Sequence, residues 1–234
     1  MRPVMAEQGD IEVVIPAGGA ALPGVLLWPK GPLEAVGPFG LVIFAHGSGS
    51  SRLSPRNRMV AEVLRRAGLA TLLFDLLTEA EAVDRKLVFD IPLLAERLGM
   101  ARAWAGQSPR TRELRVAYFG ASTGAGAALV AAEEDHSITA VVSRGGRPDL
   151  AGDALARVRA PTLLIVGGRD TRVIGMNEWA LEHLRCEKRL EIVDGATHLF
   201  EEAGTLEAVA ELASGWLVDH LANHGGGGAC GEAR

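Results

Sequence analysis

Gly120-Ala121-Ser122-Thr123-Gly124 sets a serine between glycines two residues to either side. Such spacing suits a nucleophile on a sharp turn, because only glycine leaves room there for the neighbouring backbone. A serine hydroxyl is a weak nucleophile at neutral pH and needs a base within hydrogen-bond reach, itself oriented by a carboxylate. Further along, Gly168-Arg169-Asp170 and Ala196-Thr197-His198 supply an acid and a base. The chemistry such a set performs is nucleophilic catalysis by Ser122. Of the six histidines, His136, His183, His220 and His224 fall in helical or tail contexts and His46 is read as shaping its loop, which leaves His198 as the base. Asp170 is the favoured acid, with Asp75 and Asp194 as alternates. The competing reading of Asp170 is a cap on the helix that follows it.

A nucleophile of this kind also needs donors for the oxyanion it creates. The backbone amide of Thr123, next to the serine, is expected to be one. The Ser48 amide, in the glycine- and serine-rich run His46-Gly47-Ser48-Gly49-Ser50-Ser51, is expected to be the other. His46 and Gly47 are placed beside the substrate, His46 chiefly shaping its loop. Arg144 is expected either to bind a substrate carboxylate or to pair with a rim acid such as Asp75. Arg52 and Arg56 are weaker candidates for the substrate role.

These residues need a frame that brings them to one edge. The run at 41–45 is apolar throughout, as a strand covered on both faces is, the short apolar run 116–119 leads into the serine turn, and 70–74, 138–142, 161–166 and 189–193 read as further strands. Ile11–Ile15 and Val25–Trp28 fit an opening antiparallel pair. Helical patterns follow at 54–67, 90–104, 177–184 and 206–217, and the alanine-rich stretch after Ser122 reads as a further helix. Strand and helix alternate from Leu41 to Leu221, which predicts a mostly parallel sheet of about eight strands with helices on both faces. Right-handed crossovers would put 46–51, Asp75, Ser122, Arg144, Asp170 and His198 on one rim. Residues 76–88 read as a charged loop that could serve as a flap. Residues 1–223 are expected to form one domain, and the glycine-rich residues 224–234 a disordered tail.

With 48% hydrophobic and 23% charged residues and a net charge of -5, composition gives no electrostatic ground for binding nucleic acid or an anionic membrane. The start shows no secretion signal and no stretch approaches a membrane span, so a cytoplasmic location is expected. Cys186 and Cys230 lack metal-ligand or redox spacing and are given no function. The expected partner is a small-molecule ester, with no metal or cofactor required; a homodimer is the one assembly left open.

His46-Gly47-Ser48-Gly49, Gly120-Ala121-Ser122-Thr123-Gly124, Gly168-Arg169-Asp170 and Ala196-Thr197-His198, in that order, carry a resemblance to the α/β-hydrolase superfamily. It covers nearly the whole chain and points within the superfamily to the small dienelactone hydrolase-like branch. The stretches 46–52 and 142–149 look like those of bacterial hydrolases, some of them fused to phosphoribosyltransferase domains, a second domain not expected here. The resemblance implies the α/β-hydrolase fold and acyl transfer to water through an acyl-serine, His198 first taking the serine proton and then activating water. Dienelactone hydrolases proper carry a cysteine nucleophile, so Ser122 favours an ordinary ester. The segment between the strands at 142 and 161 is one short helix long, too little for a large cap, and an open site suits short soluble esters. Rival readings are a lactone hydrolase, an acyltransferase or perhydrolase on the same triad, and a binding protein on the same scaffold.

Overall fold

Short apolar strands alternating with amphipathic helices can bury both sheet faces only by wrapping the helices over them. The computed structural model, which describes residues 10–30 and 38–222, shows that arrangement. Its strands are β1 (Ile11–Ala17), β2 (Ala20–Leu27), β3 (Leu41–Ala45), β4 (Ala70–Phe74), β5 (Val116–Ala121), β6 (Val141–Arg144), β7 (Thr162–Gly167) and β8 (Lys188–Val193). They form an eight-stranded sheet in the order β1-β2-β4-β3-β5-β6-β7-β8. The β1–β2 and β2–β4 pairs are antiparallel, and every pair from β4 to β8 is parallel. This is the α/β-hydrolase fold without a large cap.

The helices are α1 (Pro55–Arg66), α2 (Glu79–Ala82), α3 (Arg85–Val88), α4 (Ile91–Gln107), α5 (Thr123–Glu134), α6 (Thr171–His183) and α7 (Thr205–Ala222). A kinked 3₁₀ segment spans Pro148–Arg157. Alternate side chains of each strand enter different cores, as the two-residue period requires. Ile43, Tyr118, Val141 and Leu164 pack with Leu94 and Leu98 of α4 and Ala128 of α5. Phe44, Phe119, Val142 and Ile165 pack with Val60 and Leu64 of α1 and Val209 and Leu217 of α7. The site residues stand where β3 to β8 leave the sheet, so both cores hold the platform under them.

Several boundaries differ from those read in the sequence. β2 is longer than the 25–28 run and includes Pro23, which is tolerated because only part of the strand pairs on both sides. β6 begins at Val141 and ends on Arg144, later than the 138–142 run. Helix α6 begins directly after Asp170 rather than at Asn177. Residues 76–88 are not an irregular loop. They hold α2, closed by a Thr78–Glu81 capping box, and α3, capped by Asp84. Glu81 also pairs with Arg97 of α4 at 2.9 Å, and Arg97 donates to the Ala17 carbonyl, so the segment is tied to the body. Residues 224–234 lie outside the described residues. No helix among the described residues is long and apolar enough to cross a membrane.

Candidate active site

At the end of β5 the chain turns abruptly into α5. Ser122 takes φ 50° and ψ -122°, a backbone region that strongly favours glycine, so the serine is held in strain by its surroundings. The surroundings that force it are tight. A Cβ on Gly120 would lie 2.5 Å from Ala125 Cα, and one on Gly124 would lie 2.2 Å from the Ala45 carbonyl oxygen. The glycines flanking the serine are therefore required by close backbone approach. The Ser122 amide donates to the Arg144 carbonyl at 3.3 Å, and the Arg147 amide donates to the Ser122 carbonyl at 3.0 Å, which pins the turn to the end of β6.

Asp170 occupies the N-cap position of α6, yet its side chain makes no capping hydrogen bond. Instead Asp170 Oδ2 stands 2.6 Å from His198 Nδ1. The reading of Asp170 as a mere helix cap is thereby set aside. Backbone bonds join the two loops: Gly168 N donates to Val193 O, and Arg169 N to Ala196 O, both at 2.9 Å. A Cβ on Gly167 would lie 2.5 Å from the Ala196 carbonyl oxygen, so that contact too needs glycine. Thr197 N donates to the Glu202 carboxylate at 3.0 Å, which holds the loop from the other side. The carboxylate takes Nδ1–H and so leaves Nε2 as the free ring nitrogen. The His198 ring lies beside Gly145, where an added Cβ would sit 3.7 Å from Cε1, on the same strand end that anchors the serine turn.

The loop after β3 passes over the serine. A Cβ on Gly47 would lie 2.9 Å from Ser122 Cβ, so the Gly47 backbone packs directly against the serine side chain. The Ser48 amide donates to Thr123 Oγ1 at 2.9 Å rather than standing free, a bond that sequence reading missed. Thr123 is buried. Thus the side chain of the residue after the nucleophile occupies the amide expected to bind the oxyanion.

Both ring nitrogens of His46 are engaged within the protein. Leu76 N donates to His46 Nε2 at 3.0 Å, which makes Nδ1 the protonated nitrogen, facing the Gly47 carbonyl at 3.0 Å. The ring borders the pocket described below but its polar atoms are spent on tying the β3 and β4 loops together. Burial holds its pKa below the usual 6.5 despite the opposing Gly47 bond and Asp75 charge. A depressed histidine pKa means that the unfolded chain binds the proton more readily. The stabilising contribution is then whole above 6.5 and is lost as pH falls from there through the folded-state value. The melting temperature of wild type should drop more steeply than that of His46→Gln between about pH 7 and pH 5. Parallel curves would show that His46 does not titrate with unfolding.

Asp75 is not the acid of this site. It accepts from Arg52 N at 2.6 Å and from the Arg52 guanidinium, so neither the alternate acid role nor the suggested Arg144–Asp75 ion pair is formed. Arg52 is correspondingly not free to bind substrate. Arg144 is buried, and its Nη1 has no hydrogen-bond partner.

Beside the Gly47–Ser51 loop and Thr123 opens a cavity of about 300 Å³. Its apolar wall comes from Leu76, Leu77, Ala82, Val88 and Leu94, with Asp75 and Glu79 at the margin. The stretch 76–88 thus builds one wall of the cavity through α2 and α3, a placement that its charge pattern concealed. The strained serine at the end of β5 and the carboxylate-oriented imidazole after β8 thus stand on one rim of the sheet, with the cavity beside Thr123, the residue after the serine.

No family model matches the chain. It is 57% identical over 220 residues to a protein of Mycobacterium tuberculosis that bears a provisional phosphoribosyl transferase name, found in two strains. That match takes in 94% of this chain and 48% of the relative, so the chain spans about half the length of the curated relatives it matches. A crystal structure of a dienelactone hydrolase from Anabaena variabilis is 57% identical and superposes with a TM-score of 0.86, covering 92% of this chain and 99% of that one. Est1E from Butyrivibrio proteoclasticus, at 17% identity, shares the fold with a TM-score of 0.77 over 91% of this chain and 99% of its own. From the near-complete overlap with the Anabaena protein, the chain belongs to the dienelactone hydrolase-like branch of the α/β-hydrolase superfamily.

Proposed function

We propose that this hydrolase is a serine esterase for short, soluble carboxylic esters, acting through an acyl-serine on Ser122. The observation that carries the reading is the Asp170–His198 contact of 2.6 Å, made by an aspartate that forgoes capping its own helix. In the proposed cycle Ser122 Oγ attacks the ester carbonyl while His198 Nε2 takes the hydroxyl proton. Asp170 holds the imidazole and stabilises the imidazolium that forms. The oxyanion is received by the Thr123 amide and, once Thr123 Oγ1 turns away, by the Ser48 amide. His198 then gives its proton to the leaving alkoxide, and a water molecule deprotonated by the same nitrogen releases the acid.

The small cavity sets the substrate size. Leu76, Val88 and Leu94 offer an apolar surface long enough for a few carbons, with no large cap to extend it. Activity on p-nitrophenyl esters should therefore peak at short acyl chains, and a fluorophosphonate probe should label Ser122. Narrowing the cavity with Val88→Trp should move the optimum to acetate and lower kcat/KM for butyrate relative to acetate by about tenfold, the effect of one or two methylenes refused by an apolar pocket. An unchanged chain-length profile would remove this cavity as the acyl site. An absence of labelling would remove Ser122 as nucleophile.

A lactone hydrolase on the same residues is the second reading, favoured by the near-full-length likeness to a structure named as a dienelactone hydrolase. The phosphoribosyl transferase name belongs to relatives twice this length and is not carried over.

A further inference from the structure

Among the described residues, two that are not glycine have a left-handed backbone: Ser122 at φ 50° and Phe200 at φ 55°, two positions beyond His198. Strain of this kind persists only where neighbouring structure imposes it. One short loop, 145–147, meets both residues as it leaves β6. The Arg147 amide donates to the Ser122 carbonyl at 3.0 Å. A Cβ on Gly145 would lie 3.3 Å from the Phe200 ring, 3.0 Å from the His198 carbonyl oxygen and 3.7 Å from His198 Cε1. The loop is a spacer wedged between the nucleophile and the base, and its position sets how far apart they stand.

The first residue of the spacer is held by β7, through a bond from Gly145 N to Ile165 O at 2.7 Å. Its middle residue is held by a side chain. Asn177 Nδ2 donates to Gly146 O at 3.0 Å and to Val173 O, one turn back in α6, at 2.8 Å. Both acceptors are carbonyls, which fixes the end of the amide that must carry the nitrogen. Among the described residues no other side chain bonds to the backbone of 145–147. Asn177 is 0% exposed, and its Oδ1 has no partner among those residues. Burying that oxygen is costly, and a leucine of similar size would avoid the cost. What the amide adds is its grip on Gly146. Helix α6 begins directly after Asp170, and Asn177 lies seven residues on, two turns along. The helix that carries the acid thus also grips the spacer between serine and imidazole.

We propose that Asn177 is a positioning residue for hydrolysis: by holding Gly146 it fixes the spacing of Ser122 and His198 and ties that spacing to the helix bearing Asp170. The inference rests on the esterase reading and adds to it a residue that touches neither substrate nor reacting atoms. The cavity beside Thr123 is lined by no residue of 145–147 or of α6, so the effect falls on the chemical step and not on binding.

The test compares Asn177→Leu, Asn177→Ser and Leu184→Ala with wild type on p-nitrophenyl propionate. Leucine removes the bond to Gly146 at similar volume. Serine can still bond back to the Val173 carbonyl but is too short to reach Gly146. Leu184, buried just past the end of α6, gives the control, which weakens the packing of the helix without touching the spacer. Competent serines are counted by labelling to completion with a fluorophosphonate, and kcat is expressed per counted serine. Both Asn177 variants should lose about 10- to 100-fold in kcat per serine with KM nearly unchanged, the loss expected when reacting groups shift by up to about 1 Å. Leu184→Ala should lower the melting temperature and leave kcat per serine at the wild-type value.

The rate constant of fluorophosphonate labelling reads the same spacing without an ester, because His198 must activate Ser122 there too. A loss of about tenfold or more in the Asn177 variants supports the proposal even if no ester is cleaved, in which event the esterase reading alone fails. Should Asn177→Leu not fold, Asn177→Ser decides. A folded Asn177→Ser protein that matches wild type in labelling rate and in kcat per serine would overturn the proposal, as would a wild type that takes no label.

Discussion

Ser122→Ala is expected to lower kcat on p-nitrophenyl acetate by at least about 10⁴-fold, leaving the residual rate that oxyanion donors and binding supply in other serine hydrolases. The loss should be one of chemistry and not of structure. Ser122 makes its structural bonds through the backbone, from its amide to Arg144 and from its carbonyl to Arg147, and alanine keeps both. Alanine also meets the same positive-φ strain as serine, so the melting temperature should stay within a few degrees of wild type. Kinetics and a thermal melt on the same preparation separate the two effects. Activity reduced less than tenfold in a folded protein would mean that another group attacks the ester. A large fall in melting temperature would mean that the Ser122 hydroxyl itself stabilises the turn.

Gly124→Ala should have the largest effect on stability. The added methyl would lie 2.2 Å from the Ala45 carbonyl oxygen and 2.6 Å from that of His46. Both obstacles are backbone at the end of the central strand β3, which is hydrogen-bonded to β4 and β5 and cannot yield as a side chain would. Overpacking of an ordinary core costs about 1 to 3 kcal/mol. Against fixed backbone we expect at least the upper end, about 3 kcal/mol, or a drop in melting temperature of about 6 to 12 °C for a domain of this size. Gly175→Ala in α6 is the matched control, because nothing lies within 4 Å of its added Cβ. That change should be neutral or stabilising by up to about 1 kcal/mol through helix propensity. Equal behaviour of the two variants would show that the elbow is free to move away from the β3 loop. The same contact fixes the spacing between Ser122 and the Ser48 amide, so whatever Gly124→Ala protein folds should also be slow.

Much of this arrangement was legible in the chain because its signals are local. A fully apolar run of five residues cannot rest on a solvent-facing sheet edge, so Leu41–Ala45 identified itself as a central strand. Alternation with helical patterns then implied parallel pairing, and parallel pairing puts every strand's carboxyl end on one rim. The glycines around Ser122 likewise marked the elbow, since their spacing reflects a steric demand that any side chain would violate. From these local facts the order of Ser122, Asp170 and His198 followed, and the structure brings Asp170 and His198 to 2.6 Å.

What the tertiary structure alone decided were the partners of polar groups far apart in sequence. Residue type allowed Asp170 a second use as a helix cap beside the favoured one as acid, and only the approach of the β8 loop, locked by the Arg169–Ala196 bond, turned it to His198 instead of its own helix. Asp75 could have served Arg144 or the triad, until the fold set Arg52 against it. His46 read as a residue that shapes its loop beside the substrate; its ring does border the cavity, but that its bond reaches as far as Leu76 was decided by the fold. The charged stretch 76–88 looked like solvated loop because its apolar residues are few and unevenly spaced, yet capping and the Glu81–Arg97 pair shape it into the pocket wall. Hydrophobic period and glycine spacing are written along the chain, one residue after another. Which acid meets which base depends on distances of a few ångströms between segments that become neighbours only after the sheet has assembled.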